Sequence, residues 1–293
     1  MRFRLLLIFI CLVFSFEEPL AQQPDRQAVL DALAKTGCTT LETIKICKYD
    51  YQMGGNNVEA ISFQPSGKGR FPGVILVPGY QRSAPDYLSL GRTLGQQGYA
   101  SLAITQPGFG KSTGKADYVG PETIKTLTEG FKKFQRESYV DPDRMAVFGY
   151  SRGGMAASLL ATQLKDVKAA VFGAGVYDFK KAYDEMKIEG IRENMKRESG
   201  MTEKAIEERS SIRHMKNLRS PVLILHGEKD ENVPVSQALA LRDTLTALKK
   251  DFEIKLFPEA AHGIPTNEWL PLMIRFFNRH LKGMKTDASP KPR

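Results

Sequence analysis

The five residues Gly149-Tyr150-Ser151-Arg152-Gly153 constrain this chain more than any other stretch. An apolar run, residues 145–148, precedes them and a run of helix formers, residues 155–161, follows, so the order is buried strand, tight turn, helix. A serine held at the tip of such a turn leaves no room for side chains two positions to either side, which accounts for glycine at 149 and 153. The helix begins directly behind Ser151, so its first N–H groups and its dipole face the place where negative charge would build during acyl transfer. The geometry expected is a nucleophile elbow, with the backbone N–H of Arg152 as one oxyanion donor. The bland alternative is a glycine-rich turn between core elements, and the rest of the chain has to decide.

Alternating elements surround this turn. Residues 45–53 and 58–63 flank Gly54-Gly55-Asn56-Asn57, a turn suited to positive φ, and read as an antiparallel hairpin. Ahead of them, residues 22–40 read as a helical or irregular lead-in. Residues 71–77 form a continuous apolar run suited to a strand buried on both faces. A helix carrying Tyr87, Leu90 and Leu94, a strand over 99–105 and a helix carrying Ile124, Leu127, Phe131 and Phe134 lead to the strand before the elbow. Strands over 167–176, 221–225 and 252–256, a helix with Leu241, Leu245 and Leu248, and a closing helix over 269–281 bring the expected strand number to about eight. Repeated strand-helix order predicts an α/β fold, with a mostly parallel sheet, helices on both faces and the hairpin as antiparallel edge strands. At 293 residues and 42% hydrophobic composition, one domain over 22–293 is expected. Residues 180–219 break the alternation: they are dense in charge, place Glu193 and Arg197 at helical spacing, and read as a small helical cap between the sixth and seventh strands.

A serine hydroxyl is a weak nucleophile at neutral pH and needs a base within reach and an acid to orient that base. Of the four histidines, His280 lies in the closing helix and His214 in the charged segment, while His226 ends a strand beside Gly227 and reads as shaping that turn. His262, in Ala261-His262-Gly263, follows the last strand on a loop at the carboxyl edge of the sheet, where open α/β folds bind ligands. It is the candidate base. Asp230 lies on the loop after the seventh strand at the same edge, and the order Ser151, Asp230, His262 is the order such an elbow requires. Asp178, after the sixth strand, competes with it, and Asp230 is preferred. The second oxyanion donor is expected from the backbone N–H of Tyr80 in the turn Pro78-Gly79-Tyr80, whose phenol could also reach the site. Gly110-Lys111-Ser112 imitates the end of a phosphate loop, but Thr105 stands where that motif needs glycine. No metal-ligand cluster or cofactor motif is visible.

With these motifs in place, the chain from Phe71 onward resembles an α/β hydrolase, and in particular the branch shared by the prolyl oligopeptidase catalytic domain and the dienelactone hydrolase-like enzymes. The residues that carry the likeness are Gly149 to Gly154, Gly108-Phe109-Gly110-Lys111-Ser112, Pro221-Val222-Leu223-Ile224-Leu225-His226-Gly227 with Asp230 and Val233-Pro234, and Ala261-His262-Gly263. Two departures qualify it: prolyl oligopeptidases carry a large β-propeller for which residues 1–70 leave no room, and dienelactone hydrolases use cysteine where this chain has Ser151. The resemblance implies a serine hydrolase. Carboxylic esters are favoured over peptides, because amide cleavage has the poorer leaving group and usually needs an extended subsite surface. The alternative is a small exported serine peptidase acting on short peptides; a catalytically silent binding module is disfavoured by the complete serine, aspartate and histidine set.

The amino terminus bears on location. Met1-Arg2-Phe3-Arg4 and the apolar residues 5–16 read as a signal peptide over 1–21, implying export to the periplasm or the medium, with no stable membrane span after cleavage. Pro19 stands where a small residue is usual before a cut after Ala21, so an uncleaved anchor stays open, while Ile10 before Cys11 argues against lipid attachment. Cys38 and Cys47 could close a small loop in an oxidising compartment or stay as two buried thiols. The net charge of +9 is spread along the chain without interleaved aromatics and reads as a solvated basic surface, which disfavours a nucleic-acid groove, and no nucleic-acid partner is expected. The expected partner is a small-molecule or short-peptide substrate.

Overall fold

Short apolar runs bounded by turn residues can be buried with their backbone N–H and C=O groups satisfied by neighbouring strands, and a computed structural model describing residues 26–284 places them in a sheet. The segment read as a signal peptide, residues 1–21, lies outside the described residues. In chain order, α1 (Arg26–Thr36) leads into β1 (Cys38–Leu41), β2 (Ile44–Lys48), β3 (Tyr51–Met53), β4 (Asn56–Val58) and β5 (Ala60–Pro65). Next come β6 (Phe71–Val77), α2 (Leu88–Gln96), β7 (Ala100–Ile104), α3 (Pro121–Gln135), β8 (Val140–Tyr150), α4 (Arg152–Gln163) and β9 (Val167–Gly173). The insertion α5 (Phe179–Glu185), α6 (Glu189–Ser199), α7 (Glu203–Arg209) and a 3₁₀ turn (Ser211–Asn217) precedes β10 (Val222–Gly227), α8 (Ser236–Ala247), β11 (Phe252–Phe257) and α9 (Thr266–Lys282).

Among the described residues the main sheet has nine strands in the order β1-β2-β5-β7-β6-β8-β9-β10-β11. Neighbours from β7 to β11 run parallel, and β1, β2 and β5 add antiparallel pairs at one edge. This is the α/β-hydrolase arrangement. The extra strand beyond the expected eight is β1, at the end of the lead-in, which pairs with β2 so that Cys38 faces Cys47, and the two form a disulfide. The expected hairpin is also interrupted. β2 and β5 pair as foreseen, but the tip leaves the sheet as the separate ribbon β3–β4, with Asp50 Oδ1 accepting the Ala60 N–H at 3.1 Å where it departs. The strand expected to reach residue 176 stops at Gly173, because Ala174 turns to a positive φ of 43°.

Period-2 alternation divides the core between the two faces. Ile75 and Val77 of β6 pack with Phe131 and Met155 on the α3 and α4 side, whereas Val74 and Leu76 pack with Leu94, Trp269 and Phe277 on the α2 and α9 side. The insertion is helical, as its spacing predicts, though Arg197 pairs with Glu198 at 3.6 Å and not with Glu193. Polar caps start two of its helices: Asp178 accepts the Lys181 N–H at 3.1 Å for α5, and Thr202 accepts the Ala205 N–H at 3.2 Å for α7. The buried Arg209 of α7 ties the insertion down through two bonds to the Asp117 carbonyl, at 2.6 and 3.2 Å. Among the described residues, no helix is long and apolar enough to cross a membrane.

Candidate active site

β8 is buried from Met145 to Tyr150 and ends in Ser151, whose backbone takes φ 57° and ψ −124°. That conformation costs a non-glycine residue about 1–3 kcal/mol and persists only where the surroundings impose it. Here they do. A Cβ at Gly149 would stand 1.9 Å from the Gly153 carbonyl oxygen, and one at Gly153 would stand 2.0 Å from that of Val77, so any side chain at either position would push the turn apart. The Ser151 N–H donates to the Gly173 carbonyl at 2.8 Å, which ties the turn to β9.

The loops after β10 and β11 bring the other two candidates to this turn. His262 Nε2 lies 2.8 Å from Ser151 Oγ, and Nδ1 lies 2.8 Å from Asp230 Oδ2. A carboxylate only accepts, so Nδ1 carries the ring proton and Nε2 is left to take the serine proton. Asp230 is fixed by its other oxygen, which accepts the N–H groups of Asn232 and Val233 at 2.9 and 2.8 Å. Its side chain has no exposed surface while that of His262 is 22% exposed, so the acid end of the relay is dry and the serine end meets solvent. Asp178, the competitor, is engaged in capping α5. His214 meets the Glu207 carbonyl, and His280 packs on Phe276, with ring centroids 4.5 Å apart.

The two residues expected to supply oxyanion donors flank the serine. Arg152 is the first residue of α4, so its N–H has no acceptor inside the helix. The turn carrying Tyr80 passes close by, since a Cβ on Gly79 would lie 3.5 Å from that of Ser151.

Two contacts at the site were not foreseen from sequence. The hydroxyl of Tyr150 donates to the His262 carbonyl at 2.5 Å and accepts the Ile264 N–H at 3.1 Å, so the residue before the serine pins the loop that carries the histidine. The only sequence signal for it is an aromatic residue inside the elbow. His226 does shape its turn, donating from Nε2 to the Val233 carbonyl at 2.9 Å, but the same nitrogen also lies 3.4 Å from Asp230 Oδ2. Burial holds His226 below the ordinary histidine range, against the opposite pull of the Asp230 carboxylate. Its position four residues before the aspartate was the available signal.

Comparison with known proteins bears on the family and the fold. A Bacillus subtilis protein named as an uncharacterized peptidase, YtmA, is 29% identical over 225 residues, covering 74% of this chain and 86% of its own. Dipeptidyl-peptidase 5 of Porphyromonas gingivalis is 26% identical over 185 residues, 59% of this chain but 27% of that longer one. Among solved structures, the Pyrococcus horikoshii acylaminoacyl peptidase superposes with a TM-score of 0.73 at 20% identity, over 85% of this chain and 44% of that one. Acetyl xylan esterase 1 from a Thermoanaerobacterium species gives 0.68 at 17% identity, over 86% of this chain and 91% of that one. At such identities the structures speak for the fold. The model of the prolyl oligopeptidase family matches residues 111–284, more than half of the chain and the part that holds Ser151, Asp230 and His262. The chain is therefore a serine hydrolase of the α/β-hydrolase fold and belongs to the prolyl oligopeptidase family.

Proposed function

We propose that this hydrolase cleaves carboxylic esters, with Ser151 as nucleophile, His262 as general base and then acid, and Asp230 as the residue that orients and charge-balances the imidazole. The observation that carries these residue roles is the unbroken relay Ser151 Oγ, His262, Asp230 at 2.8 Å per step, with the serine at the tip of a strained turn. In the first half-reaction Ser151 Oγ attacks the acyl carbonyl as its proton moves to His262 Nε2. The carbonyl oxygen becomes an oxyanion facing the N–H groups of Tyr80 and Arg152. His262 then gives that proton to the departing alkoxide, leaving an acyl group on Ser151. Water repeats the sequence with His262 as base, and the acid and free Ser151 result.

Ester substrates suit the site because the better leaving group asks less of it than an amide does. The peptide reading is favoured by a different observation, the names borne by the relatives: peptidases predominate, with two acetyl xylan esterases among the structural matches. Export is part of the proposal, supported by the Cys38–Cys47 bridge, a bond that persists in oxidising compartments, and by the signal-like residues 1–16. The test is a paired assay of short-chain aryl esters and matched peptide amides on the parent chain and on Ser151→Ala. The expected result is faster ester turnover, lost by roughly 10⁴ to 10⁶-fold in the variant without loss of folding. Faster amide turnover would move the substrate class to peptides, and residual variant activity within tenfold would remove Ser151 from its role.

A further inference from the structure

Two cap side chains reach the two residues proposed as oxyanion donors, and both sit on one face of one helix. Asn194 and Glu198 are four residues apart on α6, one turn above the other. Asn194 Nδ2 donates to the Tyr80 hydroxyl at 3.1 Å. Glu198 Oε2 stands 2.7 Å from Arg152 Nη1 and also accepts the Tyr118 N–H at 3.0 Å. The side chains of Arg152 and Glu198 are 3% and 6% exposed, so this ion pair is desolvated and poorly screened. No guanidinium nitrogen of Arg152 makes a well-aligned hydrogen bond among the described residues, so its charge rests on Glu198 and on three ring faces. Those are Tyr118, Phe109 and Tyr80, at 4.7, 4.9 and 5.9 Å from the guanidinium carbon.

The donors differ in what else holds them. Arg152 is braced by α4, whereas Tyr80 lies in a turn and is 38% exposed, with its ring held by the Asn194 bond and by an edge contact with Phe109 at 5.5 Å. A donor of an oxyanion hole has to be aimed before charge develops, since reorganisation during the reaction forfeits the stabilisation. We infer that Asn194 and Glu198 are positioning residues, through which α6 aims the N–H groups of Tyr80 and Arg152 at the developing oxyanion. The inference rests on the reading of those two N–H groups as the oxyanion donors. It gives the cap a part in turnover itself, beyond any part in choosing substrates.

The experiment compares the full chain with Asn194→Ala, Glu198→Gln, Tyr80→Phe and the double variant Asn194→Ala/Tyr80→Phe. Measured for each are kcat and KM on p-nitrophenyl acetate and butyrate, the rate of labelling by a fluorophosphonate, and the melting temperature. Misaiming a donor costs less than deleting one, so kcat is expected to fall about tenfold for both esters while KM stays within about twofold. Labelling slows by a similar factor yet still reaches one label per chain, which a damaged relay would not allow. If Asn194 acts through the Tyr80 phenol, adding Asn194→Ala to Tyr80→Phe changes nothing further. Should Glu198→Gln fail to fold, Asn194→Ala and its cycle with Tyr80→Phe decide alone. With a parent that labels normally, variants of unchanged kcat, or with a change in KM only, overturn the inference. A parent that takes no label at Ser151 overturns the underlying reading and the inference with it.

Discussion

β8 leads into Ser151 and α6 reaches Arg152 and Tyr80 beside it, and the two are held by different kinds of force. β8 is buried from Met145 to Tyr150, stacks Phe148 on Trp269 with centroids 5.2 Å apart, and passes into α4, whose residues are buried from Arg152 to Thr162. α6 buries Met195, packs Ile191 at the margin of the core, and is further held by polar tethers, Asn194 to Tyr80 and Glu198 to Arg152. Apolar packing is spread over many contacts and tolerates the loss of one, whereas a desolvated ion pair concentrates its contribution in two side chains. The nucleophile therefore sits on the rigid partner, and the elements that can tune it sit on the adjustable one.

The largest effect separating the two regions is expected at the aspartates. Asp230→Asn removes the acceptor that fixes the His262 tautomer and should lower kcat by roughly 10³ to 10⁴-fold with little change in melting temperature. Asp178→Asn, which only weakens the cap of α5, should cost about tenfold or less. The reverse pattern would move the acid to the loop after β9. Next in size is the exchange of residues 187–201, the α6 segment, for a Gly-Ser loop. It is expected to shift the acetate-to-butyrate preference by about tenfold, because acyl pockets discriminate by methylene. An unchanged preference together with an unchanged kcat would reduce the cap to surface.

A smaller effect tests the buried side. The lowered proton affinity of His226 means that the unfolded chain takes up a proton there before the folded one does. Its contribution to stability is thus fully present above the unfolded value, about 6.5, and is lost as the pH falls below it, by at most about 1.4 kcal/mol per pH unit. His280 is lowered by burial too, so the useful comparison is with His226→Gln, whose urea midpoint should fall less steeply between pH 7.5 and 5. Equal slopes would show that His226 does not stay neutral in the fold. The smallest effect on turnover belongs to Cys38→Ser/Cys47→Ser. Losing a short-loop bridge removes about 2–3 kcal/mol from the edge of the sheet, so limited proteolysis should cut the first forty residues sooner while kcat is unchanged. A fall in kcat would mean that the edge strands communicate with the site.

The same contrast explains what could be read from the chain alone. The strand, elbow and helix around Ser151 are encoded by neighbouring residues, through an apolar run, two obligatory glycines and a helix-forming run, and so were legible. Asp230 and His262 were legible because a parallel sheet delivers successive loops to one edge. β1 was missed because Cys38-Thr39-Thr40-Leu41 is too short for its alternation to register, and its pairing depends on β2. The Tyr150 bond to the histidine loop spans more than a hundred residues, and the Arg152–Glu198 pair joins segments that only the finished fold brings together. Polar contacts of this kind leave no periodicity in the sequence.

Whether Ser151 carries the acyl group during turnover is read by acid-quenching the enzyme while it hydrolyses p-nitrophenyl acetate and locating the trapped acetyl by peptide mass spectrometry. One acetyl is expected on the peptide containing Ser151, accumulating further in Asp230→Asn if deacylation slows more than acylation, and absent in Ser151→Ala. An acetyl on another residue, or turnover that continues in Ser151→Ala with no trapped acetyl, would contradict that role for Ser151.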